Sequence, residues 1–328
     1  MNLRSLSLAA CLALPCLLAA GLPAAAQTGY PTRPVTLVVP FPPGGATDVG
    51  GRVIAQALGK ELGQSVIVEN RAGAGTVIGA AYVARATPDG YTLLITSGTT
   101  FTINPAVRRE LPYDPLNSFE PVGIVARTGL ILLANPQVPV SDLKSFLAYV
   151  RDPAHAGTPY GSFGSGTTAN FVGEAFASAA GIKLTHVAYK GSAPAMADLI
   201  GGQIPFSVDT VAAALPQLKN DKVKAIAVSS PQRSAFLPDV PTFAESGYPQ
   251  VAMDTWLMVA APRGLPAEVQ ARLGKALADV VANPDVRKSL LAQGFEPGFE
   301  DARQGEALIR KELPQMREIA QRANIKAD

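Results

Sequence analysis

Cysteine is nearly missing from this chain, and its placement matters more than its number. Both cysteines, Cys11 and Cys16, fall in the first 26 residues, within a stretch from Leu6 to Leu22 that is almost wholly apolar. Arg4 is the only charge before Gln27, small residues stand at Ala24, Ala25 and Ala26, and Pro15 and Pro23 interrupt the run. This is the pattern of an export signal cleaved after Ala26 rather than of a membrane anchor, and it places the protein in the periplasm. Leu8-Ala9-Ala10-Cys11 has the look of a lipoprotein cleavage box, a signal weakened by the six residues between Arg4 and Cys11. Cleavage at Ala26 leaves 302 of the 328 residues without a cysteine, which excludes disulfides and thiolate chemistry.

Other absences narrow the chemistry further. Without Arg4, 27 Lys and Arg face 26 Asp and Glu, a balance that argues against nucleic acid or an anionic membrane surface as partner. No further long apolar segment follows the signal, so the mature chain is expected to be soluble, and its length favours two domains. Only two histidines occur, His155 in a polar loop and His186 in an alternating strand, so no transition-metal cluster is legible and no metal or cofactor is expected. No G-x-S-x-G elbow surrounds Ser97, Ser162, Ser165 or Ser192. Gly73-Ala74-Gly75-Thr76-Val77-Ile78-Gly79 opens a helix, but its third glycine is one residue late for a dinucleotide fingerprint.

What the chain does have is a repeated strand, glycine loop and helix start. Val35, Leu37, Val38 and Val39 form a buried-looking strand stopped by Pro40, Pro42, Pro43, Gly44 and Gly45; after Thr47, read as an N-cap, Val49, Val53, Ile54, Ala57, Leu58 and Leu62 keep helical spacing. A helix start after a parallel strand offers unpaired N–H groups and the positive end of a dipole, chemistry suited to an anion. Tyr160 to Thr168 repeats the arrangement ahead of a helix over 168–180 striped by Phe171, Ala175, Phe176 and Ala179. If the two starts face each other, a carboxylate between them accepts hydrogen bonds from Thr47, Ser165, Thr167 and Thr168, with Phe41, Phe163 and Tyr189 as apolar walls.

Between these jaws, strands and helices alternate with short connections, the pattern of βαβ units in a parallel sheet. The runs PVGIVA and GLILLAN, separated by Arg127 and Thr128, read as the crossing into a second domain, and helices are expected near 266–282, 284–293 and 301–324. Charges near the cleft are few: Lys190 reads as solvated, Asp48 as serving the first turn of its helix, and Asp209 as either a partner for a ligand ammonium or a turn cap.

The motifs PFPPGGATD, VENRAGAG, ARATPDGYTLL, YGSFGSGTTANFVGEAF, AYKGSAPAMADLIGGQI, FSVDT and LPDVPTFAESGYP, in this order and spacing, resemble the substrate-binding proteins of tripartite tricarboxylate transporters, the Bug-type periplasmic receptors. The resemblance implies an α/β type II periplasmic binding fold: two lobes, each a mainly parallel sheet flanked by helices, joined by crossover strands. Lobe 1 is expected at 27–125 and 228–328, lobe 2 at 126–227. It implies a monomeric, non-catalytic receptor for a small carboxylated solute (a dicarboxylate, aromatic acid or amino acid), delivered to a membrane permease. The expected contacts are Phe41, Pro42, Gly44, Gly45, Thr47, Ser97, Thr99, Phe163, Ser165, Gly166, Thr167, Thr168, Tyr189, Gly191 and Asp209. Asn170 stands where such receptors often carry histidine, a neutral amide near the pocket. The readings kept beside it are an exported α/β hydrolase and a sensor serving a signalling partner.

Overall fold

In the computed structural model, which describes residues 29–327, the alternation of apolar runs and amphipathic segments becomes one mixed sheet covered by helices. The signal segment lies outside the described residues. The first half holds β1 (Val35–Val39), α1 (Ala46–Leu62), β2 (Val66–Asn70), α2 (Val77–Ala84) and β3 (Thr92–Thr96), then a π-helical turn over Thr99–Ile103 that runs into α3 (Asn104–Val107). β4 (Phe119–Ala134) leads to the second half: α4 (Leu143–Arg151), β5 (Pro159–Ser162), α5 (Thr168–Ala180), β6 (Thr185–Ala188), α6 (Ser192–Ile200), β7 (Phe206–Thr210), α7 (Val211–Leu218) and β8 (Lys224–Val228). The chain ends in β9 (Asp254–Pro262), α8 (Ala267–Ala282), α9 (Pro284–Ala292), β10 (Glu296–Asp301) and α10 (Ala302–Arg322). Among the described residues no helix is long and apolar enough to cross a membrane.

The strand order is β2-β1-β3-β9-β4-β7-β5-β6, with β8 and β10 also paired to β4. β1 pairs in parallel with β2 and β3, and β5 with β6 and β7, whereas every pairing of β4 and β9 is antiparallel. Each half is thus a parallel βαβ core bordered by antiparallel strands that carry the chain between halves. PVGIVA and GLILLAN are not two strands but one, β4, 16 residues long. Arg127 and Thr128 do not break it because both have partners: Arg127 reaches Glu300 on β10 at 2.7 Å, and the Thr128 hydroxyl donates to the Gly294 carbonyl. Polar side chains inside an apolar strand therefore mark a contact here, not a turn.

Three further elements escape the sequence pattern. α7 follows β7 without a loop, its start capped by the Thr210 hydroxyl on the Ala213 N–H. β10 is polar and is a strand only through its ladder with β4, and the π-helical turn has no period of its own. Val228 ends β8, yet the chain stays against the second half until Met253: Phe243 N–H bonds to the Val228 carbonyl and the Phe243 ring packs 4.7 Å from that of Phe176. Val38, Leu94, Phe101, Trp256 and Met258 build the core of the first half, and Ile131, Leu133, Leu199 and Val211 that of the second. Ile103, Phe171, Ala175, Met316 and Ala320 form a third cluster in which α10 packs on both α3 and α5.

Candidate functional site

A cavity of about 30 Å³ lies where the two halves meet, room for a water or two. Its first wall is the start of α1 (Phe41, Pro42, Gly45, Ala46, Thr47) with Ser97 after β3. Phe163, Thr168, Gly191 and Ser192 form the second, while Thr128, Thr210, Thr255, Leu257 and Phe295 supply the floor. The mouth is shut by contact: the rings of Phe41 and Phe163 meet edge to face at 6.0 Å, and Gly191 lies so close under Pro42 that a Cβ there would sit 3.0 Å from its Cγ. No charged side chain lines the cavity.

Eight of the residues expected from sequence are in this lining: Phe41, Pro42, Gly45, Thr47, Ser97, Phe163, Thr168 and Gly191. The other seven are elsewhere, and their bonds show why. The Gly44 N–H donates to Asp48 Oδ2 at 3.0 Å, so it is spent inside its own loop. Gly45, not Thr47, is the N-cap of α1, which leaves the Thr47 hydroxyl without a partner among the described residues and facing the cavity. The Gly166 N–H donates to Asn170 Oδ1 at 3.0 Å and the Thr167 hydroxyl to the Gly164 carbonyl at 2.7 Å; the Ser165 carbonyl accepts from Arg108. Thr99 is fully buried behind the cavity, taking the Thr168 N–H at 3.2 Å and donating to the Thr168 hydroxyl. Tyr189 turns its hydroxyl to Asp198 at 2.7 Å, and burial, reinforced by that bond, raises its pKa to about 12. Asp209 lies wholly buried behind Ser192 and Thr210.

The second wall therefore owes more to the start of α6 than to that of α5. Of the lining residues that sequence reasoning missed, Thr128 and Thr255 carry a signal in retrospect, as hydroxyls within long apolar strands. Ser192 follows Gly191 at the start of a helix, and Thr210 closes the strand β7. Ala46, Leu257 and Phe295 carry none. Hydrogen bonding sorts the hydroxyls further. Thr128 Oγ1 donates to the Gly294 carbonyl and accepts from the Ala212 N–H, so its one proton is committed. Ser97 and Thr168 only accept, from the Thr99 N–H and hydroxyl, so their protons are free for a ligand. Thr255 Oγ1 is buried with no partner among the described residues.

Asp48 does not oppose an anion. Burial pushes its pKa up, but hydrogen bonds from Arg52, the Gly44 N–H and Asn70 outweigh this and hold it below the usual carboxylate range. Asn170 is likewise a loop tether, and Lys190 is exposed. The Gly73–Thr76 turn cradles no phosphate: a Cβ on Gly75 would lie 2.6 Å from the Ser165 carbonyl oxygen. Among the described residues one serine–histidine pair exists, Ser162 Oγ and His186 Nε2 at 2.7 Å, but Ser162 is fully buried and lies outside the cavity. Burial depresses His186 to about 4, which makes it a neutral partner in the β5–β6 pairing.

Two parallel βαβ cores sharing antiparallel crossing strands, with a closed cleft at their junction, define a periplasmic binding protein. The profile described as "Tripartite tricarboxylate transporter family receptor" matches residues 51–325, and the chain belongs to this family of solute-binding receptors. It is 35% identical to Protein BugT of Bordetella pertussis over 293 residues, covering 89% of each chain. The periplasmic binding protein BugD superposes with a TM-score of 0.86 at 35% identity over 90% of this chain and 99% of its own. Rpa4515 of R. palustris, solved with adipate, gives a TM-score of 0.86 at 34% identity, with the same coverage of 90% and 99%.

Proposed function

We propose that the protein, exported and cleaved after Ala26, captures a small carboxylated solute between two lobes in the periplasm and hands it, as a monomer, to the permease of a tripartite transporter. The lobes are 27–125 with 228–328 and 126–227, with the stretch 229–253 packed on the second. The solute's carboxylate sits at the start of α1, held by the N–H groups of the first turn and by the hydroxyls of Thr47, Ser97, Thr168 and Thr255.

The observation that carries this reading is a cavity lined by the starts of α1, α5 and α6 and several uncommitted hydroxyl protons, with no acidic side chain in its lining. Adipate in the related Rpa4515 supports a dicarboxylate among the candidates. Charge-assisted hydrogen bonds of about 1.5–3 kcal/mol each, three or four in number, supply about 5–12 kcal/mol before association costs, so the roughly 8 kcal/mol of micromolar binding also needs burial of the solute's apolar carbons against Phe41 and Phe163. A dicarboxylate exceeds the closed volume, so the jaws must part, pivoting where β4 and β9 cross between lobes near Arg127–Gly129 and Asp254. Calorimetric titration with dicarboxylates, aromatic acids and amino acids tests the proposal. Saturable one-to-one binding to at least one class is expected, and no heat from any class, with the protein folded by circular dichroism, overturns it.

A further inference from the structure

The polarity of the Ser192 hydroxyl is set from behind. Ser192 opens α6 and lines the cavity, and its Oγ donates to Asp209 Oδ1 at 2.7 Å. Asp209 is fully buried, and the same oxygen also takes the Thr210 N–H at 2.7 Å, while Oδ2 has no partner among the described residues. A carboxylate oxygen only accepts, and a serine has one proton to give. With that proton committed to Asp209, Ser192 can present only lone pairs to whatever occupies the cleft. Burial raises Asp209 to about 6, so above pH 7 it is the carboxylate that this geometry needs.

The opposite wall has the reverse polarity. Thr47 and Ser97 keep their protons for a ligand beside the start of α1, and Thr168, on the wall of Ser192, keeps its own. The walls are close: a Cβ built on Gly45, the N-cap of α1, would lie 3.8 Å from Ser192 Cβ. A carboxylate seated on α1 thus brings its neighbouring carbon within reach of the Ser192 lone pairs. A bare methylene there leaves them unpaired, and a second carboxylate is repelled; a hydrogen-bond donor satisfies them.

We infer that Ser192, held as an acceptor by Asp209, makes this cleft select a carboxylated solute bearing a hydrogen-bond donor, hydroxyl or ammonium, on the carbon next to the carboxylate. This rests on the carboxylate reading above and adds the solute's second functional group. Ser192 is the specificity residue and Asp209 its positioning residue.

The test is calorimetry at pH 8 with two matched series: succinate, malate and aspartate, and adipate, 2-hydroxyadipate and 2-aminoadipate. In at least one series a donor-bearing acid is expected to bind tenfold or more tightly than its plain parent, with preference for the hydroxy or amino form naming the donor. Ser192→Ala should shrink that preference to threefold or less. Asp209→Ala should do the same, whereas Asp209→Asn, whose Oδ1 still accepts, should retain the preference. That rescue separates positioning from a merely structural role, and Ser192→Ala serves if Asp209→Ala fails to fold. Equal affinities within both series, or a preference that survives Ser192→Ala, overturns the inference and leaves the carboxylate reading standing. Binding of none of the six by the folded protein overturns the inference, and the carboxylate reading falls with it only when the aromatic acids and other amino acids also give no heat.

Discussion

The loops that precede α1 and α5 are the same device put to different uses. In each a glycine with positive φ, Gly44 at 85° and Gly166 at 70°, sits one residue before the N-cap, and its N–H is taken by the side chain four residues on, Asp48 or Asn170. L side chains avoid that backbone region, which is why glycine stands at both positions. The tethers differ in charge: Asp48 needs Arg52 at 2.9 Å and Asn70 at 2.8 Å to be buried as an anion, while Asn170 needs only the Tyr160 hydroxyl at 3.2 Å. The first loop places Gly45, Ala46 and Thr47 in the cleft; the second places only Phe163 and Thr168 there, and the Thr168 N–H is already spent on Thr99. A glycine loop before a helix is therefore not a site in itself. What matters is which of its donors the protein has consumed.

The widest expected gap between the loops is in stability. Asp48→Ala strips an ionic acceptor from Gly44, Arg52 and Asn70 and should cost about 2–3 kcal/mol in urea unfolding, against about 1–2 for Asn170→Ala. The same pair should differ in affinity, Asp48→Ala weakening a bound dicarboxylate tenfold or more and Asn170→Ala less than threefold; equal losses would make both loops part of one site. Next comes Thr47→Val, expected to weaken binding about tenfold with little change in melting temperature. Thr167→Val should reverse that pattern, costing about 1 kcal/mol of stability through its lost bond to Gly164 and leaving affinity intact.

The smallest effect concerns two buried acids of the first half, Glu312 and Asp48. Glu312 on α10 accepts from Trp256 Nε1 at 3.2 Å, and burial raises its pKa to about 7, opposite in direction to Asp48. A raised acid favours the fold fully below its unfolded value of about 4.3 and loses that contribution as pH climbs through 7. Glu312→Gln should therefore be more stable than the parent at pH 8, by on the order of 1 kcal/mol, and no different near pH 4. Trp256 is the chain's single tryptophan, so its fluorescence should titrate near pH 7 and go flat in that variant. Asp48 works the other way: its contribution is present above the unfolded value and lost as pH falls through its lowered one.

Elements with a strong period were legible in the sequence. α5 begins and ends at Thr168 and Ala180 as its apolar stripe predicts, and β1 falls on the expected run of Val35 to Val39. β10 and the π-helical turn were not legible because pairing with β4 and burial against Trp256, rather than local pattern, create them. The site divided along the same line. Residues at the ends of parallel strands, such as Phe41, Ser97 and Phe163, could be placed from strand and loop grammar. Thr128, Thr255 and Phe295 enter the cleft through the crossing of β4 and β9 and the turn before β10, a juxtaposition between residues far apart in the chain. Asp209 was read as a ligand contact because no sequence pattern shows that Ser192 stands in front of it.

Ala46→Pro tests the central claim most directly. Ala46 is the first residue of α1, where proline fits the helix and removes only a backbone N–H, and Gly45 before it already has the extended backbone that proline requires. Calorimetry with the tightest-binding dicarboxylate should show at least a tenfold loss of affinity at an unchanged melting temperature. Unchanged affinity in a folded Ala46→Pro variant would contradict an anion held at the start of α1.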